Sequence, residues 1–254
     1  MELLEQTPNP FRGVVVDPDK LPTDSKAFHQ QLIHSLKTWK QNGFLVVWLK
    51  IPIQNSNLIP KATKEGFTFH HSAEGYLMLT LAIQENAFIP TFATHYIGAG
   101  GVVLKDQEFL LVVCEKHRQS KTPSYKLPGG ALHPGEHIEE AIKREVFEET
   151  GVHTHFESLV CFRHWHGYRY DKSDIYFVCR LSPLNHNLTM QIDELEECFW
   201  MPVRDYMNSE NVGIFNKQIV NATLKSPGIF PTKIEGYSDS NKHEIFLPKD
   251  ITLT

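Results

Sequence analysis

The stretch Gly130-Ala131-Leu132-His133-Pro134-Gly135-Glu136, followed after seven residues by Arg144-Glu145-Val146-Phe147-Glu148-Glu149-Thr150-Gly151-Val152, decides how this chain is read. It follows a tight turn, Leu127-Pro128-Gly129-Gly130, and its spacing predicts a helix from about His137 to Thr150. Gly151 then stands where a helix ends most readily on a left-handed residue. At about 100° per residue, Ile138, Ala141, Ile142 and Val146 form one apolar stripe about 140° wide. Glu145 and Glu149 project into the middle of that stripe and Glu148 lies at its edge. Glu139, Glu140 and Lys143 fall on the opposite side, where a solvated helix would keep its charges. Carboxylates one turn apart on a buried face repel one another and are costly to desolvate unless a cation joins them. A set of oxygen ligands suits Mg²⁺ or Mn²⁺. The competing reading is a salt-bridge network of these glutamates with Arg144 or Lys143, which clustered charges alone would favour. The position of the carboxylates within the stripe favours the cation.

Every specified position of the pattern Gly-x5-Glu-x7-Arg-Glu-U-x-Glu-Glu-x-Gly-U, with U aliphatic, is filled, and a chance match at a given start is on the order of one in a billion. The pattern resembles the Nudix box, and the resemblance extends over strands on both sides, roughly residues 95–225. It implies an α/β/α sandwich with a mixed sheet and metal-dependent hydrolysis of a nucleoside diphosphate linked to another group X. It also implies Glu145, Glu148 and Glu149 as metal ligands and a backbone carbonyl of the turn, taken at Gly130, on the metal. Arg144 would position a motif glutamate, and Glu136 would steady the loop and helix through Arg144. Gly129 and Gly151 are structural members of the motif. Members of this family draw the general base from the box or from a later loop. In this chain Asp193, Glu194, Glu196 and Glu197 cluster before a strand, which makes Glu194 or Glu197 the candidate and an exposed acidic loop the equal alternative.

The segment Phe162-Arg163-His164-Trp165-His166-Gly167-Tyr168-Arg169-Tyr170 is dense in rings and cations. Rings stack on bases, and Arg or His meets phosphate, so Arg163, His164 and His166 are candidate substrate contacts. The same rings also fit core or dimer contacts. A loop carrying Lys116, Arg118, Lys121 and Lys126 offers further cations, with Lys126 the candidate contact.

Outward from the motif, strands are expected at Ile97–Leu104, Glu108–Cys114, Thr154–Arg163, Ser173–Leu181 and, last and short, Phe199–Met201, with a final helix at Ile214–Leu224. The first ninety residues read as a Pro-rich entry, a helix over Ser25–Asn42, a strand at Phe44–Leu49 and strand signals around Tyr76–Leu79. The fold class is therefore α/β (α+β) in two domains, residues 1–93 and 94–230, with a tail at 231–254. The first domain, with His70-His71-Ser72-Ala73 and Tyr76-Leu77-Met78-Leu79, resembles the pre-Nudix domain of the subgroup that holds the antisense fibroblast growth factor protein and plant ADP-ribose and NADH pyrophosphatases. That likeness implies a fold related to acyltransferases without their activity, dimerisation through this domain, and ADP-ribose or NADH as substrate. The extension expected of dedicated NADH pyrophosphatases is missing, which weakens NADH. Other expectations held open are CoA, FAD or diadenosine polyphosphate as substrate, and a nucleotide-sensing protein with little catalysis.

Composition excludes several classes. The chain of 254 residues carries 25 Lys plus Arg against 30 Asp plus Glu, a formal charge of −5, with no basic run for nucleic acid or anionic membrane. Between Gly130 and Val152 six glutamates stand against Lys143 and Arg144, so almost the whole excess is local to the motif. No apolar run approaches the roughly 20 residues a bilayer span needs. The N-terminus lacks the features of a signal peptide, and a cytoplasmic address is expected. Cys114, Cys161, Cys179 and Cys198 lack metal spacing and read as buried free thiols.

Overall fold

The computed structural model describes residues 2–116 and 122–249, which divide into two compact units at Thr94 and His95. The N-terminal unit is a five-stranded sheet of β1 (Gln6–Pro8), β2 (Gly13–Val16), β3 (Val46–Pro52), β4 (Thr68–Ala73) and β5 (Tyr76–Ala82) in the order β1-β2-β3-β5-β4. Helix α1 (Ser25–Gln41) connects β2 to its parallel neighbour β3, as a parallel pair requires, and the short α2 (Ile59–Lys64) follows β3. Asp24 caps α1 by accepting the Ala27 N–H at 2.7 Å. The helix buries Phe28, Leu32 and Trp39 against Val14, Val16, Val47, Leu49 and Ile51. These alternate residues of β2 and β3 share one face of the sheet. The Pro-rich entry thus holds two strands that its composition concealed, and the polar stretch after β3 holds α2.

In the second unit the strands are β6 (His95–Lys105), β7 (Phe109–Glu115), β8 (Tyr125–Lys126), β9 (Gly129–Ala131), β10 (Thr154–Trp165), β11 (Ser173–Pro183) and β12 (Leu195–Pro202). They form a mixed sheet ordered β10-β11-β6-β7-β12, with β9 paired to β6 and β8 to β7. Among the described strands of this sheet only β11 and β6 run parallel. β12 is longer than the short strand expected at Phe199–Met201, and it is not the last, since β13 (Phe230–Pro231) pairs with β14 (Phe246–Leu247). Helix α3 (Ile138–Thr150) covers one face, burying Ile142 and Val146 against Val103, Leu111 and Leu181. On the other face α4 (Val203–Asn208) and α5 (Ile214–Lys225) bring Tyr206, Ile219 and Val220 onto Val102, Leu110, Val112 and Val178. Helices on both faces explain why Gly98 to Leu104 are buried without alternation. The α/β/α sandwich of mixed sheet is the architecture expected.

β6 and β7 pair only at Leu104 with Leu110 and Lys105 with Phe109, then part. Beyond that point β6 takes β9 as partner and β7 takes β8, which brings the Gly129–Gly130 turn between them. The C-terminal stretch, read as a tail, holds the start of α3. Glu244 accepts the N–H groups of Ile138 at 2.7 Å and Glu139 at 2.9 Å, a carboxylate on the positive end of the helix. Glu244→Ala is expected to cost about 1–2 kcal/mol, read as a lower denaturation midpoint with an unchanged slope.

All four cysteines are free; Cys114 and Cys179 are buried, whereas Cys161 and Cys198 are only half-buried. Among the described residues no helix is long and apolar enough to cross a membrane.

Candidate active site

Helix α3 presents its acidic residues in graded burial. Glu149 is 5% exposed, and the side chains of Glu145 and Glu148 are 16% and 51% exposed, the order their angles in the apolar stripe require. Gly151 ends the helix with φ of 72°. Arg144 is the hub. Its Nε and Nη2 donate to the two carboxylate oxygens of Glu136 at 2.7 and 3.0 Å, and its Nη1 donates to Glu145 and Glu148, both at 2.9 Å. Its Nη2 also reaches the Ala131 carbonyl at 3.2 Å, tying the helix to the glycine turn. The paired guanidinium holds the Glu136 carboxyl below its ordinary range, and Glu136 in turn raises Arg144. Burial has the opposite effect on Glu149, whose carboxyl is pushed up to about 7 against the partial relief of Lys126 and of the Gly129 N–H, which donates to it at 3.1 Å.

The two glycines of the turn serve different ends. Gly129 has φ of +149°, and a Cβ there would lie 2.3 Å from the Ala99 carbonyl oxygen and 2.7 Å from the Gly100 Cα. Gly130 keeps a space open: a Cβ there would lie 2.6–2.7 Å from the Glu145 carboxylate. Its own carbonyl oxygen faces β6, 3.0 Å from where a Cβ on Gly98 would stand, and Gly130 pairs with Ala99 in the ladder. The carbonyl expected on the metal at Gly130 is therefore committed to the sheet. By the alternation of an extended chain, Gly129 is the residue whose backbone turns toward α3.

Two cavities meet at Glu115. One, of about 310 Å³, is lined by Glu115, Glu149, Glu194 and Leu195. The other, of about 560 Å³, runs from Glu115, Lys126, Gly129 and Gly130 past Tyr96 and Tyr176 to Arg163, Trp165 and Tyr168. Glu115 closes β7 and pairs with Lys126; its place was not legible, because only the packing of β7 against β8 and β12 brings it to α3. Of the two candidate bases, Glu194 lines the acidic cavity, whereas Glu197 accepts the Tyr125 hydroxyl at 3.2 Å. Arg118 and Lys121 lie outside the described residues.

Arg163 enters the larger cavity with its Nη2 on the buried Asp174 at 2.6 Å and its guanidinium within 5.0–5.5 Å of the ring centres of Trp165, Tyr176 and Phe215. His164 and His166 do not line it. Successive residues of β10 point to opposite faces, so His164 turns away and Trp165 stands beside Arg163, while His166, past the strand's end, meets the Ser173 hydroxyl. Tyr176 lies over the bare backbone of β6, its hydroxyl where a Cβ on Gly100 would stand, which accounts for the glycines there.

These residues fit a divalent cation. A buried carboxylate with a raised pKa, a second carboxylate over an empty glycine cradle and two further acids around one cavity are hard oxygen donors that a cation would satisfy. Among the described residues no three acidic, His or Cys side chains are placed to hold a metal ion, and Arg144 pairs with Glu145 and Glu148.

Comparison with known proteins places the chain in a family. Residues 94–222 match the family model described as NUDIX domain, and residues 4–83 match one described as Nudix hydrolase domain. The chain is 41% identical to Nudix hydrolase 8 of Arabidopsis thaliana over 208 residues, 81% of this chain and 56% of that protein. It is 38% identical to Nudix hydrolase 2 of the same plant, over 81% of this chain and 74% of that one. With the human Nucleoside diphosphate-linked moiety X motif 6 it shares 33% identity over 79% of this chain and 64% of that protein. Among solved structures it is similar to a NUDIX hydrolase from Nitrosomonas europaea, with TM-score 0.43, 22% identity and coverage of 50% of this chain and 87% of that one. The chain belongs to the Nudix hydrolase family, whose members hydrolyse a nucleoside diphosphate linked to X and generally depend on a divalent metal. None of these matches confirms the acyltransferase likeness expected of the N-terminal unit.

Proposed function

We propose that this chain is a Mg²⁺- or Mn²⁺-dependent pyrophosphatase that splits ADP-ribose into AMP and ribose 5-phosphate, with NADH as a secondary substrate. The observation that carries the proposal is the continuity of the larger cavity, which joins the glycine turn and Lys126 to a wall of Tyr96, Trp165 and Tyr168. A diphosphate needs the first end and a base stacks on the second.

A divalent cation held by Glu145, Glu149 and the backbone of the turn would neutralise the diphosphate and acidify an attacking water. Lys126, in the wall of the larger cavity beside Glu115, meets phosphate oxygens. Glu194 accepts the proton of the water, from a cavity it shares with Glu149. Arg144 keeps Glu145 beside the cradle while Glu136 keeps Arg144 in place. Two finer points belong to the same proposal. Four free thiols support a reducing, cytoplasmic address. The apolar groove of Phe11, Val15, Trp48, Met78 and Phe88 in the N-terminal unit supports pairing of two copies, read as a mass that doubles with concentration in light scattering.

The test is a panel of ADP-ribose, NADH, FAD, CoA, diadenosine polyphosphates and nucleoside triphosphates, with products resolved. ADP-ribose is expected to have the highest kcat/KM; a preference for CoA or a triphosphate overturns the substrate, and tight binding without turnover favours the sensing reading. Trp165→Ala is expected to raise KM for ADP-ribose about tenfold with kcat nearly unchanged, because stacking acts in ground and transition states alike.

A further inference from the structure

We infer that His95, His164 and His166 form a second metal site, for Zn²⁺ or a similar late first-row divalent ion, on the face of the sheet opposite the nucleotide cavity. The inference does not rest on the proposed substrate. His164 stands on β10, and His166, one residue past the strand's end, brings its ring beside that of His164 and its Nδ1 to the Ser173 hydroxyl. His95 begins β6 and is paired with Ser173 of β11, so that its ring leans over β11 toward β10. The Nε2 atoms of His95 and His164 face each other at 2.9 Å, with the rings stacked 5.0 Å apart. The rings of His164 and His166 are 4.4 Å apart. His-x-His at the end of a strand with a third imidazole from another element is a donor set with the nitrogen chemistry that zinc takes.

The hydrogen bonds already in place suit this use. Two Nε2 atoms at hydrogen-bonding distance share one proton, in the space an ion would take. On binding, the ring that donates through Nε2 passes to its Nδ1–H tautomer, so both nitrogens offer lone pairs and no proton is lost. Two Zn–N bonds of about 2.0–2.1 Å at a tetrahedral angle set their nitrogens about 3.4 Å apart, an opening of about half an ångström from the present contact. His166 completes the set by turning its Nε2 inward, and its Nδ1, 2.8 Å from the Ser173 hydroxyl, has a partner that can accept the Nδ1–H of the tautomer that binds through Nε2. As they stand, no three His, Cys, Asp or Glu side chains among the described residues, these histidines included, are placed to hold a metal ion, so binding requires the rings to turn from their present hydrogen bonds.

The site has a consequence for the cavity beyond the sheet. His95 precedes Tyr96, and His164 and His166 alternate with Arg163 and Trp165, so an ion clamping the three histidines would fix the strands that carry the substrate wall.

The experiment is a Zn²⁺ titration of the full chain by calorimetry near pH 7.5 with millimolar Mg²⁺ present, repeated with Co²⁺ and followed by visible absorption. The expected result is one zinc equivalent retained over Mg²⁺, with the intense visible bands of low-coordinate Co²⁺. Affinity should fall at least tenfold in each of His95→Gln, His164→Gln and His166→Gln, and by less in Ser173→Ala. Circular dichroism of each variant separates loss of the site from loss of the fold. If the wild-type chain binds no zinc over Mg²⁺, or the folded histidine variants bind it as the wild type does, the inference is overturned.

Discussion

Glu149→Gln is expected to lower turnover of every active substrate by about a thousandfold or more while making the metal-free protein more stable at alkaline pH. The loss follows from removing a buried anion from the place where a divalent ion is to be held, a contribution of several kcal/mol to the transition state at about 1.4 kcal/mol per factor of ten. The gain follows from linkage. The Glu149 carboxyl is pushed up to about 7 by burial, from an ordinary value of 4.5, so the folded state holds its proton more tightly than the unfolded chain. A raised carboxyl contributes most to stability below the unfolded value, and that contribution is lost as pH rises through the folded one. Thermal unfolding of the metal-free wild type should therefore fall between pH 4.5 and 7 by an amount that Glu149→Gln removes. Mg²⁺ should restore the wild type at pH 8 and leave the variant unmoved. Equal melting curves for the two proteins across that range would contradict the assignment of Glu149.

Alanine at the two neighbouring glycines is expected to separate folding from catalysis. In Gly129→Ala the new methyl meets backbone atoms, the Ala99 carbonyl oxygen at 2.3 Å and the Gly100 Cα at 2.7 Å, at a φ of +149°. Neither neighbour can rotate away, so the cost is about 3 kcal/mol or more and should appear in denaturant midpoints before any assay is run. In Gly130→Ala the methyl meets only the end of the Glu145 side chain at 2.6–2.7 Å. That side chain can swing aside, so the protein should fold with a stability change below about 1.5 kcal/mol and lose activity because the cradle is filled. A Gly130→Ala variant with full activity would show that the cradle has no part in the reaction.

What was legible in the sequence is what depends on short spacing. The period of α3 placed Glu145 and Glu149 inward, and Gly151 marked the helix end, because both follow from local geometry. Arg144 and Glu136 meet across one short loop. What was not legible depends on contacts long in sequence or on the parity of a strand. Alternation along β10 places Arg163 with Trp165 and turns His164 to the other face, a parity that the density of rings and cations in this segment does not reveal. Glu115 reaches the carboxylates of α3 only through strand pairing with β8 and β12. Glu244 caps α3 from 106 residues away, which no local pattern announces. The parity of β9 against β6, which commits the Gly130 carbonyl, depends on a register set by the parting of β6 and β7. Strands β1 and β2 are three and four residues long beside prolines, too short for a hydrophobic period to declare itself.

The central claim is that the acidic face of α3 holds a divalent ion for cleavage of a diphosphate presented by the aromatic cavity. Its most direct test is the release of AMP and ribose 5-phosphate from ADP-ribose by the full chain, with Mg²⁺, with a chelator, and with Glu149→Gln in place of the wild type. Both products in equal amounts with Mg²⁺, and neither in the other two conditions, is the result predicted. Cleavage that persists with the chelator or in Glu149→Gln, or no cleavage of ADP-ribose by the wild type with Mg²⁺ or Mn²⁺, would contradict it.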